Sequence, residues 1–117
     1  MLRSALLLCL LSITLSAHAA NALTDAGLAE VEALGLSNGV ALACDYIDTS
    51  TRIKAVIIQY APKSRRYGAA FEEATNKAFL EQTKKEPTTC PDGPTLNGQV
   101  DDTAHRLEAA LPAPVAP

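Results

Sequence analysis

Cys44 and Cys90 are the residues whose chemistry the sequence constrains most. The third cysteine, Cys9, lies in an N-terminal leader, so the rest of the chain holds an even number of thiols. Redox pairs are commonly close in sequence, as in Cys-x-x-Cys, and these two residues are far apart. A metal site needs further ligands, and the sequence has no group of His, Cys and Asp residues at the spacing typical of metal ligands. We therefore predict a structural disulfide between Cys44 and Cys90, with no metal and no cofactor.

Groups that could perform catalysis are sparse. His105 is the one histidine beyond the leader, with Asp101 and Asp102 nearby, but no Gly-x-Ser-x-Gly turn supplies a nucleophile. Glu72 and Glu73 are adjacent, and adjacent residues on a helix point in different directions, so they do not form a carboxylate pair. We therefore expect no enzymatic activity.

One basic cluster offers a candidate binding site. It consists of Lys63, Arg65 and Arg66, with Tyr67 beside them. The cluster could bind an acidic protein, a phosphate or an anionic lipid surface, and the alternative is a solvated loop at the start of a helix. Beyond the leader, nine Lys and Arg residues stand against thirteen Asp and Glu residues, a net charge of −4. This balance argues against nucleic-acid binding, which needs a basic surface.

The leader itself indicates where the protein works. Residues 1–19 begin with a basic start, continue as an apolar run over 5–15, and end with small residues at Ala17 and Ala19. This is the layout of a secretory signal peptide, so we predict cleavage before Ala20. The expected product is a periplasmic or secreted chain without a membrane span. Disulfides persist in such oxidising compartments, which favours the Cys44–Cys90 bond.

The elements that position these residues are predicted to be helices. The apolar spacing predicts a first helix over 21–34, ended by Gly35, with Asn38 capping the next element. Over 40–61 an apolar stripe that includes Ile47 favours a second helix. If this helix is broken, the break is expected near Thr49, where polar side chains compete for backbone hydrogen bonds. Residues 55–60 also have strand propensity, although no second strand-like run exists to pair with them.

Two further helices follow. Ser64 is placed to cap a helix running to residue 85, whose stripe is Tyr67, Phe71, Ala74 and Ala78. Thr95 is placed to cap a helix over 96–111 with the cleanest amphipathic pattern of the chain, carried by Leu96, Val100, Ala104, Leu107 and Leu111. The prediction is thus an all-α fold, a small bundle of three or four helices with one disulfide. It occupies 20–111 and is followed by a Pro/Ala-rich tail at 112–117.

The chain resembles the small periplasmic acid-stress chaperones of the Hde type. Residues 44–48 (Cys-Asp-Tyr-Ile-Asp) are similar to the acidic and aromatic stretch after the first cysteine of that family, and Thr89-Cys90-Pro91 falls at a comparable separation before a final helix. The resemblance covers 43–111, by architecture more than by motif. Through Cys90-Pro91-Asp92 and the helix after it, the chain is also similar to single-disulfide helical immunity proteins. These resemblances imply an exported helical protein that binds other proteins.

The expected function is therefore a non-catalytic binding role. Only 20 of the 98 residues beyond the leader are Leu, Ile, Val or Phe, so the core is thin. Such a core should loosen in acid while the disulfide keeps the chain tethered, which favours a chaperone-like or stress-related role. The alternative is a dedicated protein partner, such as a toxin bound by an immunity protein.

Overall fold

Four α-helices joined by short connections make up the part of the chain that the structure describes. The computed structural model describes residues 25–111, within which there is no β-strand, so the predicted all-α fold is confirmed and 55–60 is helical. The predicted signal peptide (1–19) and tail (112–117) lie outside the described residues. The helices are α1 (Leu28–Ala43), α2 (Ile47–Tyr60), α3 (Arg65–Thr83) and α4 (Gly93–Ala110), with a 3₁₀ turn at Pro87–Thr89 before α4.

The helices alternate in direction along the chain. Gly35 of α1 lies against Ala74 of α3, and Gly39 lies against Ala78, so α1 and α3 run parallel. Thr49 near the start of α2 donates a hydrogen bond to Asn97 near the start of α4, so these two helices also run parallel to each other. Helix α1 packs against all three other helices, and its contact with α3 is the most extensive in the bundle.

Two glycines allow α1 and α3 to approach closely. A Cβ atom on Gly39 would lie 2.3 Å from the Thr75 carbonyl oxygen, and one on Gly35 would lie 2.7 Å from the Phe71 carbonyl oxygen. The prediction that α1 ends at Gly35 is therefore wrong, because both glycines are buried in the helix and serve its packing. The predicted helix is also interrupted at Gly27, which has a φ of 76° and is the N-cap of the helix that begins at Leu28; residues 21–24 of the prediction lie outside the described residues.

Asn38 does not cap a helix but lies buried in the middle of α1. It is 1% exposed, its amide donates to Thr75 Oγ1 at 3.2 Å, and its carbonyl oxygen accepts from Ser50 Oγ at 2.6 Å. The predicted break near Thr49 is also misplaced. The chain turns at 44–46, where Asp45 has a φ of 63°, and Thr49 is inside α2.

The core lies where α1, α2 and α4 meet, with Tyr67 of α3 at its edge. The stripes predicted for α3 and α4 do face inward, since Tyr67, Ala74 and Ala78 on the former and Leu96, Val100 and Leu107 on the latter are buried. Ile53 is fully buried on α2, whereas Ile47, expected in the same stripe, is 54% exposed. Within 25–111, few side chains as large as valine or larger are fully buried: Val31, Leu34, Ile53, Leu96, Val100 and Leu107.

Helix α4 is capped three residues earlier than the sequence suggested. Asp92 is the N-cap, and one of its carboxylate oxygens accepts from the Thr95 backbone N–H at 3.1 Å. The other oxygen accepts from the Thr95 hydroxyl at 2.7 Å. Ser64 does occupy the N-cap position of α3, but its side chain makes no capping hydrogen bond.

Candidate functional site

The predicted disulfide is present and lies at one end of the bundle. Cys44 and Cys90 are bonded, with their Cα atoms 5.9 Å apart. Cys44 belongs to the turn between α1 and α2, and Cys90 to the connection between α3 and α4. The bond therefore joins two helical hairpins, α1–α2 and α3–α4, at their turns.

An open cleft of about 520 Å³ runs beside this disulfide. Gln82 is buried in its wall and donates to Thr89 Oγ1 at 3.2 Å, with Cys90 Sγ also in reach at 3.7 Å. Tyr46, at the other side, donates its hydroxyl hydrogen to the Pro91 carbonyl oxygen at 2.9 Å. The Tyr46 hydrogen bond joins the two hairpin turns beside the disulfide, whereas the Gln82 contacts lie within the α3–α4 connection and hold that turn against the end of α3.

The basic cluster lies at the opposite end, where α3 begins. Lys63 donates to the Ile58 carbonyl oxygen at the end of α2, and Arg66 forms an ion pair with Asp25 at 2.7 Å. Tyr67 is buried, and its hydroxyl donates to the Ala26 carbonyl oxygen at 2.8 Å. Arg65 is exposed. The structure thus brings the four residues to one end of the bundle, but three of them hold neighbouring segments of the chain together.

Groups for metal binding do not converge in the part of the chain that the structure describes. Across 25–111, no cluster of three or more His, Cys, Asp or Glu side chains could hold a metal ion. His105 is exposed on α4. Among the same residues, no helix combines the length and the apolar character needed to cross a membrane.

An apolar stripe on α1 is the surface feature that sequence reasoning missed. Its members recur at spacings of four and three residues, and none of them is fully buried: Ala29, Ala33, Leu36, Val40 and Ala43. Leu36, the largest, is 42% exposed. At about 100° per residue, Leu36 points some 200° from Asn38, so the stripe faces away from α2. The spacing itself was the available signal, and it was hidden by the expectation that Gly35 ends the helix.

Other large apolar side chains are exposed on α2 and α3. Ile47 and Ile58 are 54% and 67% exposed, and eleven residues bring them back to nearly the same face of α2. Phe79 and Leu80 are 38% and 56% exposed near the end of α3. Isolated exposed apolar residues are normal in proteins, so a functional argument needs a surface with further organisation.

Comparisons with known proteins add no relative to this description. No family model matches the chain, and neither a curated protein nor a solved structure matches it.

Proposed function

We propose that this protein is exported and acts without catalysis, as a chaperone-like binding protein that holds other polypeptides under acid stress. The observation that carries the proposal is the position of the disulfide. It joins the turns of the two hairpins, and the 61–64 connection joins α2 to α3 at the opposite end. Separation of the hairpins would therefore expose the core faces while the chain stays tethered at both ends.

Acid supplies a force for such a separation. Below the ordinary range of carboxyl pKa values, the thirteen Asp and Glu residues lose their charge, the nine Lys and Arg residues keep theirs, and His105, neutral in the count at pH 7, adds one positive charge. The net charge beyond the leader then moves from −4 to about +10, and self-repulsion of that size opposes a compact state. Two ion pairs that join separate segments, Arg52–Asp101 and Arg66–Asp25, also lose their anions. Both pairs are solvent-exposed, so their loss is a minor contribution beside the global repulsion.

The surfaces released would suit an unfolded client. Val31 and Leu34 of α1, together with Val100 and Leu107 of α4, belong to the apolar cluster that packs between the helices. Once uncovered, they offer two amphipathic helices for apolar segments of another chain. The polar contacts of Asn38 with Ser50 and Thr75 would be replaced by water, so they do not prevent opening.

The test uses the purified, oxidised protein at neutral pH and at about pH 2.5. In acid we expect bound anilinonaphthalene sulfonate to fluoresce strongly, circular dichroism to retain part of the helix signal, and aggregation of acid-denatured malate dehydrogenase to be suppressed. The Cys44→Ser/Cys90→Ser variant should protect less, because its hairpins are no longer joined at their turns. A protein that stays fully folded at this pH, or that loosens and protects nothing, contradicts the chaperone role.

A dedicated protein partner is the second candidate. The observation that favours it is the outward face of α2, where Ile47 and Ile58 are both more than half exposed in the folded state. A protein that remains folded in acid and loses binding to a co-purifying partner on Ile58→Glu substitution would support this function instead.

A further inference from the structure

We propose that the α1–α3 face binds a second copy of this chain in an antiparallel, two-fold arrangement. The face has two parts. The first is the apolar stripe of α1 centred on Leu36, beside which Glu32 is exposed one turn earlier on the same face. The second is the adjacent rim of α3 that carries Glu73 and Lys77. The proposal is independent of the acid-stress function, because it concerns the folded state at neutral pH.

Geometry places both parts on the same side of the molecule. Asn38 and Thr75 are hydrogen-bonded to each other on the side of the α1–α3 contact that faces Ser50 of α2. Leu36 is two residues from Asn38, and Glu73 and Lys77 are each two residues from Thr75. Because two residues correspond to about 200° of helix rotation, all three side chains point to the side opposite α2.

The contacts between α1 and α3 show which residues lie at the same height along the two helix axes. Gly35 lies beside Ala74, and Gly39 lies between Thr75 and Ala78. Leu36 is therefore level with the part of α3 that lies midway between Glu73 and Lys77. A two-fold axis through Leu36 and perpendicular to α1 places Leu36 against Leu36 of the second copy. The same axis places Glu73 of each copy against Lys77 of the other.

This charge arrangement is why a second copy fits the face. A two-fold interface must be self-complementary, with each patch meeting itself in reverse. Both Glu73 and Lys77 are exposed, and neither side chain makes an ion pair or a hydrogen bond with another described residue. Towards the ends of the face, Arg66 would approach Lys84 of the other copy, but Arg66 is already paired with Asp25.

The size of the face predicts a weak complex. The stripe spans fourteen residue steps, or about 21 Å, and two packed helices are about 20 Å wide. The buried area is then about 800 Å² for both copies together, below the ~1,200–2,000 Å² of stable complexes. We therefore expect a dimer that forms only at high protein concentration.

Sedimentation equilibrium of the oxidised protein at neutral pH and low salt tests the proposal. Between about 10 μM and about 1 mM, the average mass should rise towards that of a dimer. Leu36→Glu should weaken association at least tenfold, whereas Ile58→Glu, the same kind of substitution at an even more exposed position on the outer face of α2, should not. Circular dichroism should show that both variants remain folded.

Charge reversal gives the sharper test. Glu73→Lys and Lys77→Glu should each prevent self-association, because like charges would meet across the axis. An equimolar mixture of the two variants should associate, and so should the double variant, because opposite charges meet again in both. A wild-type protein that stays monomeric at about 1 mM overturns the proposal. So does a mixture that fails to associate, or an Ile58→Glu effect as large as that of Leu36→Glu.

Discussion

The close approach of α1 to α3 depends on Gly39 having no side chain. The hydrogen on its Cα occupies the place where any other residue would carry a side chain, and the Thr75 carbonyl oxygen, the Ala78 methyl group and the Phe79 nitrogen surround that place. Two of these three neighbours are backbone atoms of α3, which cannot move without the whole helix. The tight packing between the two helices therefore depends on the absence of a β-carbon at this position.

Replacement of Gly39 by alanine is expected to destabilise the protein by about 1–3 kcal/mol, because the new methyl group overpacks the helix contact. Alanine normally favours a helix by about 0.5–1 kcal/mol over glycine, so the sign of the change is diagnostic. Urea unfolding of the Gly39→Ala variant measures it. Gly98→Ala in α4 is the matched control, since a methyl group there would have no atom within 4 Å beyond the adjacent backbone of its own helix, and it should stabilise. Equal stabilisation by both substitutions would contradict the close contact.

Asn38 shows why a local reading of this region fails. Asparagine next to serine and glycine usually indicates a turn or an N-cap, and the sequence around it supports that interpretation. Its partners are Ser50 and Thr75, which are 12 and 37 residues away along the chain. A buried amide costs free energy unless it is hydrogen-bonded, so these distant hydroxyl groups permit Asn38 to lie in the helix interior. The local sequence around Asn38 gives no indication of hydrogen-bond partners this far away along the chain.

Among the elements, α4 depends most visibly on its first residues. Hydrogen bonds from the Thr95 hydroxyl and the Thr95 backbone N–H lower the pKa of Asp92 below its ordinary value. A carboxyl group whose pKa is lowered by folding stabilises the native state above its unfolded pKa. That contribution is lost as the pH falls through the folded pKa. The cap therefore supports α4 at neutral pH and is released in acid.

Asp92→Ala is accordingly expected to lower the melting temperature by a few degrees at neutral pH. The difference from wild type should shrink as the pH falls below about 4, because protonation removes the same cap from the wild-type protein. Differential scanning calorimetry at a series of pH values measures both effects. Asp102→Asn, an exposed change later in the same helix, is the control. A wild-type and variant difference that does not depend on pH would contradict the role of the ionised cap.

Some of the helices could be predicted from the sequence and others could not. The α3 and α4 stripes were predicted correctly because apolar side chains recur there at helical spacing and proline bounds each segment. The predicted end of α1 at Gly35 is eight residues before the observed end at Ala43. The error arises because a glycine that packs against another helix looks, in the sequence, like a glycine that ends a helix. The face centred on Leu36 was missed for the same reason. The roles of Lys63 and Arg66 could not be predicted either. The Ile58 carbonyl oxygen reaches Lys63 through the turn between α2 and α3, and Asp25 reaches Arg66 only because α1 packs against α3.

For the whole molecule, the disulfide is the strongest single constraint. It joins residues separated by 46 positions, and closing a loop of this length restricts the unfolded chain substantially. Few large side chains are fully buried among the described residues, so we expect this restriction to contribute a large share of the stability of the native state.

Loss of the bond in a Cys44→Ser/Cys90→Ser variant is expected to cost about 2–5 kcal/mol. Denaturant unfolding of the oxidised wild type and the variant measures the difference. The wild type treated with a thiol reductant should behave like the variant, which separates the effect of the bond from that of the serine side chains. A variant as stable as the oxidised protein would show that packing alone holds the hairpins together.

The attachment of the hairpins at their turns also means that the polypeptide need not be continuous. The connection at 61–64 carries exposed Pro62, Lys63 and Ser64, and a protease that cut there would leave α1–α2 and α3–α4 as two peptides. Cys44 and Cys90 would still join those peptides, with all four helices available for the same bundle. The disulfide could therefore hold the two hairpins together as separate peptides, as it does within the single chain.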